Sequence, residues 1–198
     1  MAKPTKKKKR FFDVEMPILG KETQLIGYEL KDLEGRFIKY DLTRTLRGKS
    51  MILKLKVKIE DDKATSTPKE TKLMPSFLRR MMRKGTNYVE DSFSTECKDA
   101  QVRIKPFMIT RRKVSRAVRK ALREKAREEL TNYVKDKTAD ELFDDILKNQ
   151  IQKPLSLKLK KVYPLSLCEI RVFKVEKELE VKKEEKPKKD SDKIKEEK

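Results

Sequence analysis

A dense run of basic side chains between residues 103 and 127 is the feature of this sequence best suited to chemistry with a ligand. These 25 residues hold eleven Lys and Arg residues and one acidic residue, which is half of the net charge of +20 found in 198 residues. Arginine stays protonated in proteins and donates five N–H groups in a fixed fork that suits phosphate oxygens. The run therefore predicts a surface that binds a polyanion.

Five arginines in this run recur at the spacing of one helix face. They are Arg112, Arg116, Arg119, Arg123 and Arg127. Apolar residues from Val114 to Leu122 recur at the same steps of three and four on the opposite face. The pattern predicts a helix that begins at Thr110 as its N-cap and ends or bends near Asn132. Solvated faces usually mix both signs, and no acid interrupts these five, so a polyanion-binding face is favoured over a solvated one.

Two other basic segments extend this prediction. Residues 1–10 form a basic arm without apolar periodicity, and a short helix is expected at 75–84, between Pro75 and Gly85. The complete set of candidate binding residues is Lys6, Lys7, Lys8, Lys9, Arg10, Arg79, Arg80, Arg83, Lys84, Arg103, Lys105, Arg111, Arg112, Arg116, Arg119, Lys120, Arg123 and Arg127. Nucleic acid is the leading partner, and an anionic membrane surface is second.

Composition argues against most other classes of protein. The chain has no histidine, the commonest general base, and no tryptophan. Gly48-Lys49-Ser50 resembles the end of a phosphate-binding loop, but Thr43 stands where that loop needs glycine. We expect no enzyme activity, cofactor, metal or small-molecule substrate. No stretch reaches the ~20 apolar residues of a membrane span, so we expect a cytosolic protein, with Cys97 and Cys168 reduced in packed strands.

Strands and helices are both expected, which indicates the α+β class. In the clearest strand, apolar residues from Leu53 to Ile59 alternate with lysines. Further strands are predicted at 36–42, 88–97, 101–107, 155–160 and 168–175, with a polar loop at 60–72. Thr138 and Glu141 form a capping box for an acidic helix that should face solvent or a protein. We expect one domain at 11–175 between the arm and a Lys/Glu tail at 176–198, with both charged termini disordered.

Several of these segments together resemble a known family. They are Phe77–Asp91, Lys98-Asp99, Val102–Pro106, Thr110–Arg112 and Arg119-Lys120, with Phe11-Phe12, Gly35-Arg36, Lys54–Ile59, Tyr163–Leu165 and Glu169–Arg171 outside this middle region. In order and spacing they are similar to the S-three-A-e (eS-one) family of archaeal and eukaryotic ribosomal small-subunit proteins. The resemblance covers roughly residues 11–175, and the short tail is closer to the archaeal form.

The resemblance implies a β-barrel-like core of antiparallel or mixed strands flanked by about three helices. It also implies binding to ribosomal RNA on the platform of the small subunit, near the RNA 3′ end and the messenger exit, beside neighbouring ribosomal proteins. The basic residues alone leave an alternative open, namely a free nucleic-acid-binding chaperone or a chromosome-associated DNA-binding protein.

Overall fold

The computed structural model describes residues 8–60 and 63–179. This part of the chain contains nine strands in one mixed sheet and four α-helices. The strands are β1 (Arg10–Met16), β2 (Lys21–Gly27), β3 (Phe37–Asp41), β4 (Met51–Glu60), β5 (Lys63–Leu73), β6 (Tyr88–Glu90), β7 (Phe93–Glu96), β8 (Ala100–Thr110) and β9 (Leu165–Glu178). The helices are α1 (Pro75–Met81), α2 (Arg116–Lys135), α3 (Ala139–Leu147) and α4 (Gln152–Lys160).

The sheet is open. Its main path runs β2-β1-β5-β9-β8-β6, with β4 and β3 added beside β5, and β7 beside β8. β1 and β5 pair in parallel, and the other pairs are antiparallel. Strands and helices are combined as expected, but a barrel is not confirmed, because β2 and β6 at the two ends of the path do not pair. The described residues hold four α-helices where about three were expected.

The β4 strand follows the predicted alternation. Leu53, Leu55 and Val57 are fully buried, whereas the lysines between them lie on the other face and are half-buried. β4 pairs with β5 along ten residues, from Met51 to Glu60. This hairpin supplies much of the apolar core and turns a row of lysines outward.

β5 corrects the predicted polar loop at 60–72, which was wrong. Its burial alternates, but the inward side chains are small or polar, such as Ala64, Ser66 and Thr71. Ser66 remains satisfied because its hydroxyl donates to the Glu15 carbonyl at 3.0 Å. A hydropathy pattern reveals a strand only where the inward residues are strongly apolar, so it could not detect β5. The strand forms because its backbone pairs with β4.

α4 corrects the strand predicted at 155–160. Leu155 and Leu159 are buried four residues apart on one helix face, and Leu157 between them is 67% exposed. Three leucines at a spacing of two also satisfy the helical step of four, so a short window could not separate the two periods. Pro154 lies in the first turn of α4, where its missing N–H costs little.

The acidic helix α3 was predicted correctly. Thr138 and Glu141 form the expected capping box. The Phe143 ring packs edge-on against Phe173 of β9, with ring centroids 4.9 Å apart. Asp145 is buried and accepts hydrogen bonds from the Tyr133 hydroxyl and the Lys137 ammonium. The hydrogen bond with Asp145 raises the pKa of Lys137, which favours the charged form of this lysine.

Several predicted boundaries changed. Thr110 is the last residue of β8 and does not cap a helix; Ser115 is the N-cap of α2, where its hydroxyl accepts from the Val118 N–H. The strand predicted at 88–97 is divided into β6 and β7. Residues 176–178, assigned to the tail, complete β9, and Arg10 of the arm opens β1. Lys6, Lys7 and the tail from residue 180 lie outside the described residues.

Both cysteines are free and buried, as expected, but only Cys168 lies in a strand, β9; Cys97 directly follows β7. Burial raises the pKa of Cys168 to about 12 and also raises the pKa of Cys97, so both are thiols at neutral pH. Within residues 8–60 and 63–179, no helix has the length and apolar character needed to cross a membrane.

Candidate nucleic-acid interface

Two basic loops, distant in sequence, are held together by Asn87 and Thr110. The Asn87 carbonyl accepts from the Thr110 N–H at 2.9 Å and from the Thr110 hydroxyl at 3.0 Å. The Thr110 hydroxyl accepts from the Asn87 N–H at 3.1 Å, and the Asn87 side-chain oxygen accepts from the Val114 N–H at 3.0 Å. These bonds fix the loop after α1 beside the loop that leads into α2.

The first loop directly follows α1, and both the helix and the loop carry exposed cations. Arg79 and Arg80 are exposed in the last turn of α1, and Arg83 and Lys84 are exposed in the turn that follows. Phe77 is buried and anchors α1 to the core, while the Arg80 guanidinium lies 5.7 Å from its ring centroid. α1 ends at Met81 with Met82 as its C-cap, earlier than predicted.

The second loop carries Arg111, Arg112 and Lys113, all exposed, directly before α2. Arg116 is exposed in the first turn of α2, which contains no acidic residue. A helix N-terminus is already electropositive, so cations gathered there destabilise it slightly and attract anions. This end of α2 is therefore suited to an anionic partner.

We call these eight exposed cations the basic surface. Its members are Arg79, Arg80, Arg83, Lys84, Arg111, Arg112, Lys113 and Arg116. In the part of the chain that the structure describes, none of their side chains forms an ion pair. Eight uncompensated charges on two adjoining segments give the positive field that polyphosphate recognition requires.

The rest of the predicted arginine stripe turns toward the protein. The buried residues of α2 are Leu122, Ala126, Leu130 and Val134. Their steps of four residues rotate the buried face around the helix. As a result Arg123 Nε donates to the Glu90 carbonyl at 3.2 Å, and Arg127 makes a bidentate ion pair with Asp91 at 3.1 Å. Arg119 is half-buried, and Lys120 is exposed beside Glu124.

The remaining predicted residues lie elsewhere. Lys8, Lys9 and Arg10 are exposed at the start of the described chain, and the Lys9 ammonium lies 5.7 Å from the Tyr28 ring centroid. Arg103 and Lys105 lie on β8. Arg103 Nε is 2.8 Å from a Glu176 carboxylate oxygen, so its charge is partly neutralised.

Strand register places Arg103 and Lys105 in a larger outer sheet face, formed by the outward side chains of β4, β5, β9 and β8. Paired residues in one row are Ile52, Lys72, Val172 and Lys105, and those in the next are Lys54, Glu70, Lys174 and Arg103. Burial lowers the pKa of Lys69 on β5, and repulsion from Lys58 and Lys56 lowers it further. Lysines therefore lie close together on this face, where Glu178 and Glu176 form ion pairs with Lys69 and Arg103.

Sequence reasoning missed three contributors to the interface. Lys72 was assigned to a loop, so its place in the sheet could not be inferred. Asn87 shows no pattern in sequence, because its role depends on a partner 23 residues away. Arg171 was not singled out as a candidate binding residue, and its Nη1 lies 2.8 Å from a Glu90 carboxylate oxygen, which is 81 residues away in the chain.

Replacing Asn87 with alanine tests the loop junction. N87A loses the acceptor for the Val114 N–H but keeps the backbone bonds to Thr110, so it should destabilise the fold by about 1 kcal/mol and loosen the loop that leads into α2. Thermal unfolding measures the change in stability, and filter binding to a structured RNA measures the change in polyanion binding. N87D keeps an acceptor oxygen and should retain the melting temperature. Equal melting temperatures for N87A and the wild type would show that the Asn87 side chain does not stabilise the loop junction.

Comparison with known proteins places the chain in a family. The family model described as "Ribosomal S3Ae family" matches residues 2–178. A curated relative, the "Small ribosomal subunit protein eS1" of Nanoarchaeum equitans (strain Kin4-M), is 26% identical over 179 residues, which cover 86% of this chain and 90% of the relative. The family match includes every described strand and helix. The chain therefore belongs to the ribosomal S3Ae family.

Proposed function

We propose that this chain is a structural component of the small ribosomal subunit that binds folded ribosomal RNA through the basic surface. The family match and the name of the Nanoarchaeum relative support the subunit assignment. The observation that carries RNA binding is the junction at Asn87 and Thr110, which gathers eight exposed cations from two separate segments.

The proposed mechanism is charge neutralisation with recognition of shape. Guanidinium groups on the basic surface bind phosphate oxygens of adjacent RNA strands, each through paired N–H donors. Folded RNA can be recognised through phosphates and 2′-hydroxyls without reading bases. This suits a chain whose aromatic content is 7% and that has no tryptophan. No catalytic step is part of this role.

From the resemblance to the family, we propose that this contact lies on the platform of the small subunit, near the 3′ end of the RNA and the messenger exit, in the cytosol. Neighbouring ribosomal proteins are proposed to contact surfaces of lower positive charge. α3 is one such surface, because Asp140 and Glu141 are exposed at its first turn and Asp144 follows one turn later. Phosphates would be repelled there.

Sedimentation tests the proposed function. A lysate of the native organism is separated on sucrose gradients at increasing salt, and each fraction is probed for this chain. We expect the chain to migrate with the small subunit at low and moderate salt and to be released only at high salt, because many phosphate contacts give a steep salt dependence. A chain found at the top of the gradient or with the nucleoid would favour the free nucleic-acid binder.

A further inference from the structure

A notch of about 540 Å³ opens on the outer sheet face, where β5, β8, β9, α2 and the turn between β6 and β7 meet. It is lined by Lys72, Glu90, Asp91, Ser92, Lys105, Arg123, Arg171 and Val172. Half of these residues are cationic and none is aromatic. The notch lies outside the basic surface, and Lys72 and Arg171 were not among the candidate binding residues.

Strand register builds the floor of the notch. Lys72 of β5 and Lys105 of β8 both pair with Val172 of β9, one from each side. Strands are spaced ~4.8 Å apart, so the two lysine Cα atoms lie about 10 Å from each other across Val172. In the described chain neither lysine has an ion-pair partner. Both flexible side chains can therefore reach one ligand above Val172.

A β-bulge adds a third strand residue to this face. Lys105 pairs with Val172, whereas Pro106 pairs with Ile170, so Arg171 is an extra residue opposite this step. Bulges redirect side chains, and Arg171 Nη1 lies 2.8 Å from a Glu90 carboxylate oxygen at the rim. Arg171 thus neutralises Glu90 and fixes its position.

The second acid of the notch is also neutralised, by Arg127 from α2, which binds Asp91 through two hydrogen bonds. Arg123 uses Nε to hold the Glu90 carbonyl, so its terminal N–H groups remain available. With both acids paired, Lys72, Lys105 and Arg123 provide three uncompensated cations around one opening. These three positive charges repel one another, and a bound anion would relieve that repulsion.

We propose that the notch receives one backbone phosphate of the bound RNA, an inference that rests on the proposed function. The Lys72 and Lys105 ammonium groups and the Arg123 guanidinium bind the non-bridging oxygens, and Ser92 also lines the notch. A phosphate fits better than a base, because the lining offers cationic donors and no stacking ring. RNA bound at the basic surface would thereby also be held along α2 at the sheet.

The salt dependence of RNA binding tests this inference in the full-length chain. The probe is a transcript of the small-subunit ribosomal RNA of the same organism, titrated at several KCl concentrations. K72Q/K105Q should weaken binding roughly tenfold. It should also make the slope of log K against log salt shallower by about 0.7–0.9, the value for one lost phosphate. The control K160Q/K161Q removes the same charge from exposed lysines at the end of α4.

Identical slopes and affinities for K72Q/K105Q and K160Q/K161Q would overturn the notch while leaving the proposed function intact. Failure of the wild-type chain to bind the transcript would overturn the proposed function instead. In that case phosphate binding in the notch is measured by NMR, with inorganic phosphate titrated into the wild-type chain. Shifts of the Glu90 and Val172 amides that K72Q/K105Q abolishes would support it, and unchanged wild-type spectra would refute it.

Discussion

Reversing three charges at the start of α2 should prevent incorporation into the small subunit. In R111E/R112E/R116E, three cations that are proposed to contact phosphates become carboxylates that repel them. Charge-assisted hydrogen bonds contribute about 1.5–3 kcal/mol each, so losing three should weaken RNA binding by about a thousandfold or more. All three side chains are exposed and form no ion pair within the described residues. The free protein should therefore keep its fold, as circular dichroism and thermal unfolding would show.

A charge-matched control separates a local effect from a general loss of positive charge. K153E/K160E/K161E changes the net charge by the same amount at exposed lysines of α4 and the residue after it. This variant should still migrate with the small subunit on sucrose gradients. Normal incorporation of R111E/R112E/R116E, or equal loss in both variants, would argue against a specific contact at the start of α2.

Substituting Lys49 with methionine should cause a large loss of stability away from the interface. The Lys49 ammonium lies 2.6 Å from a Glu169 carboxylate oxygen and 2.7 Å from the Asn149 side-chain oxygen. The two charged side chains are only 10% and 14% exposed. K49M leaves the Glu169 charge buried without its cation, which should lower the free energy of unfolding by about 3 kcal/mol. Denaturant unfolding measures the change.

Two further variants define the origin of this effect. K148M removes a lysine from an exposed ion pair with Asp144 one helical turn away, which should cost about 0.5 kcal/mol or less. K49M/E169L replaces the buried pair by apolar side chains and should recover much of the stability lost in K49M. If K49M and K148M unfold at the same denaturant concentration, the buried pair does not stabilise the fold.

Lys49 also shows how a sequence motif can be explained by structure. Gly48-Lys49-Ser50 resembles part of a phosphate-binding loop, yet its lysine is committed to Glu169 and Asn149. These residues lie in the connection between β3 and β4. A partner 120 residues away in sequence cannot be inferred from the motif.

Elements with a strong local signal were predicted from the sequence. β4 has an unbroken alternation, and α3 has both a capping box and an amphipathic face. β5 and α4 were missed because tertiary pairing outweighed local pattern. The inward residues of β5 are small and polar, and the leucines of α4 fit both periods.

The candidate interface was predictable in composition but not in arrangement. The basic clusters near Arg79 and Arg112 stand out as charge runs. Their proximity depends on hydrogen bonds between Asn87 and Thr110, and the notch depends on the pairing of Lys72 with Val172. Arg127 shares the helical spacing of Arg112 and Arg116. It is nevertheless bound to Asp91, because the buried face of α2 rotates along the helix.

Ultraviolet crosslinking of native small subunits tests RNA binding by the basic surface most directly. Digestion after glutamate keeps the two relevant segments intact, as peptides 71–90 and 97–124, and mass spectrometry locates crosslinked nucleotides within them. We predict crosslinks to ribosomal RNA at residues 79–84 and 111–116. Crosslinks confined to peptide 142–169, which contains most of α3 and all of α4, would contradict RNA binding through the basic surface.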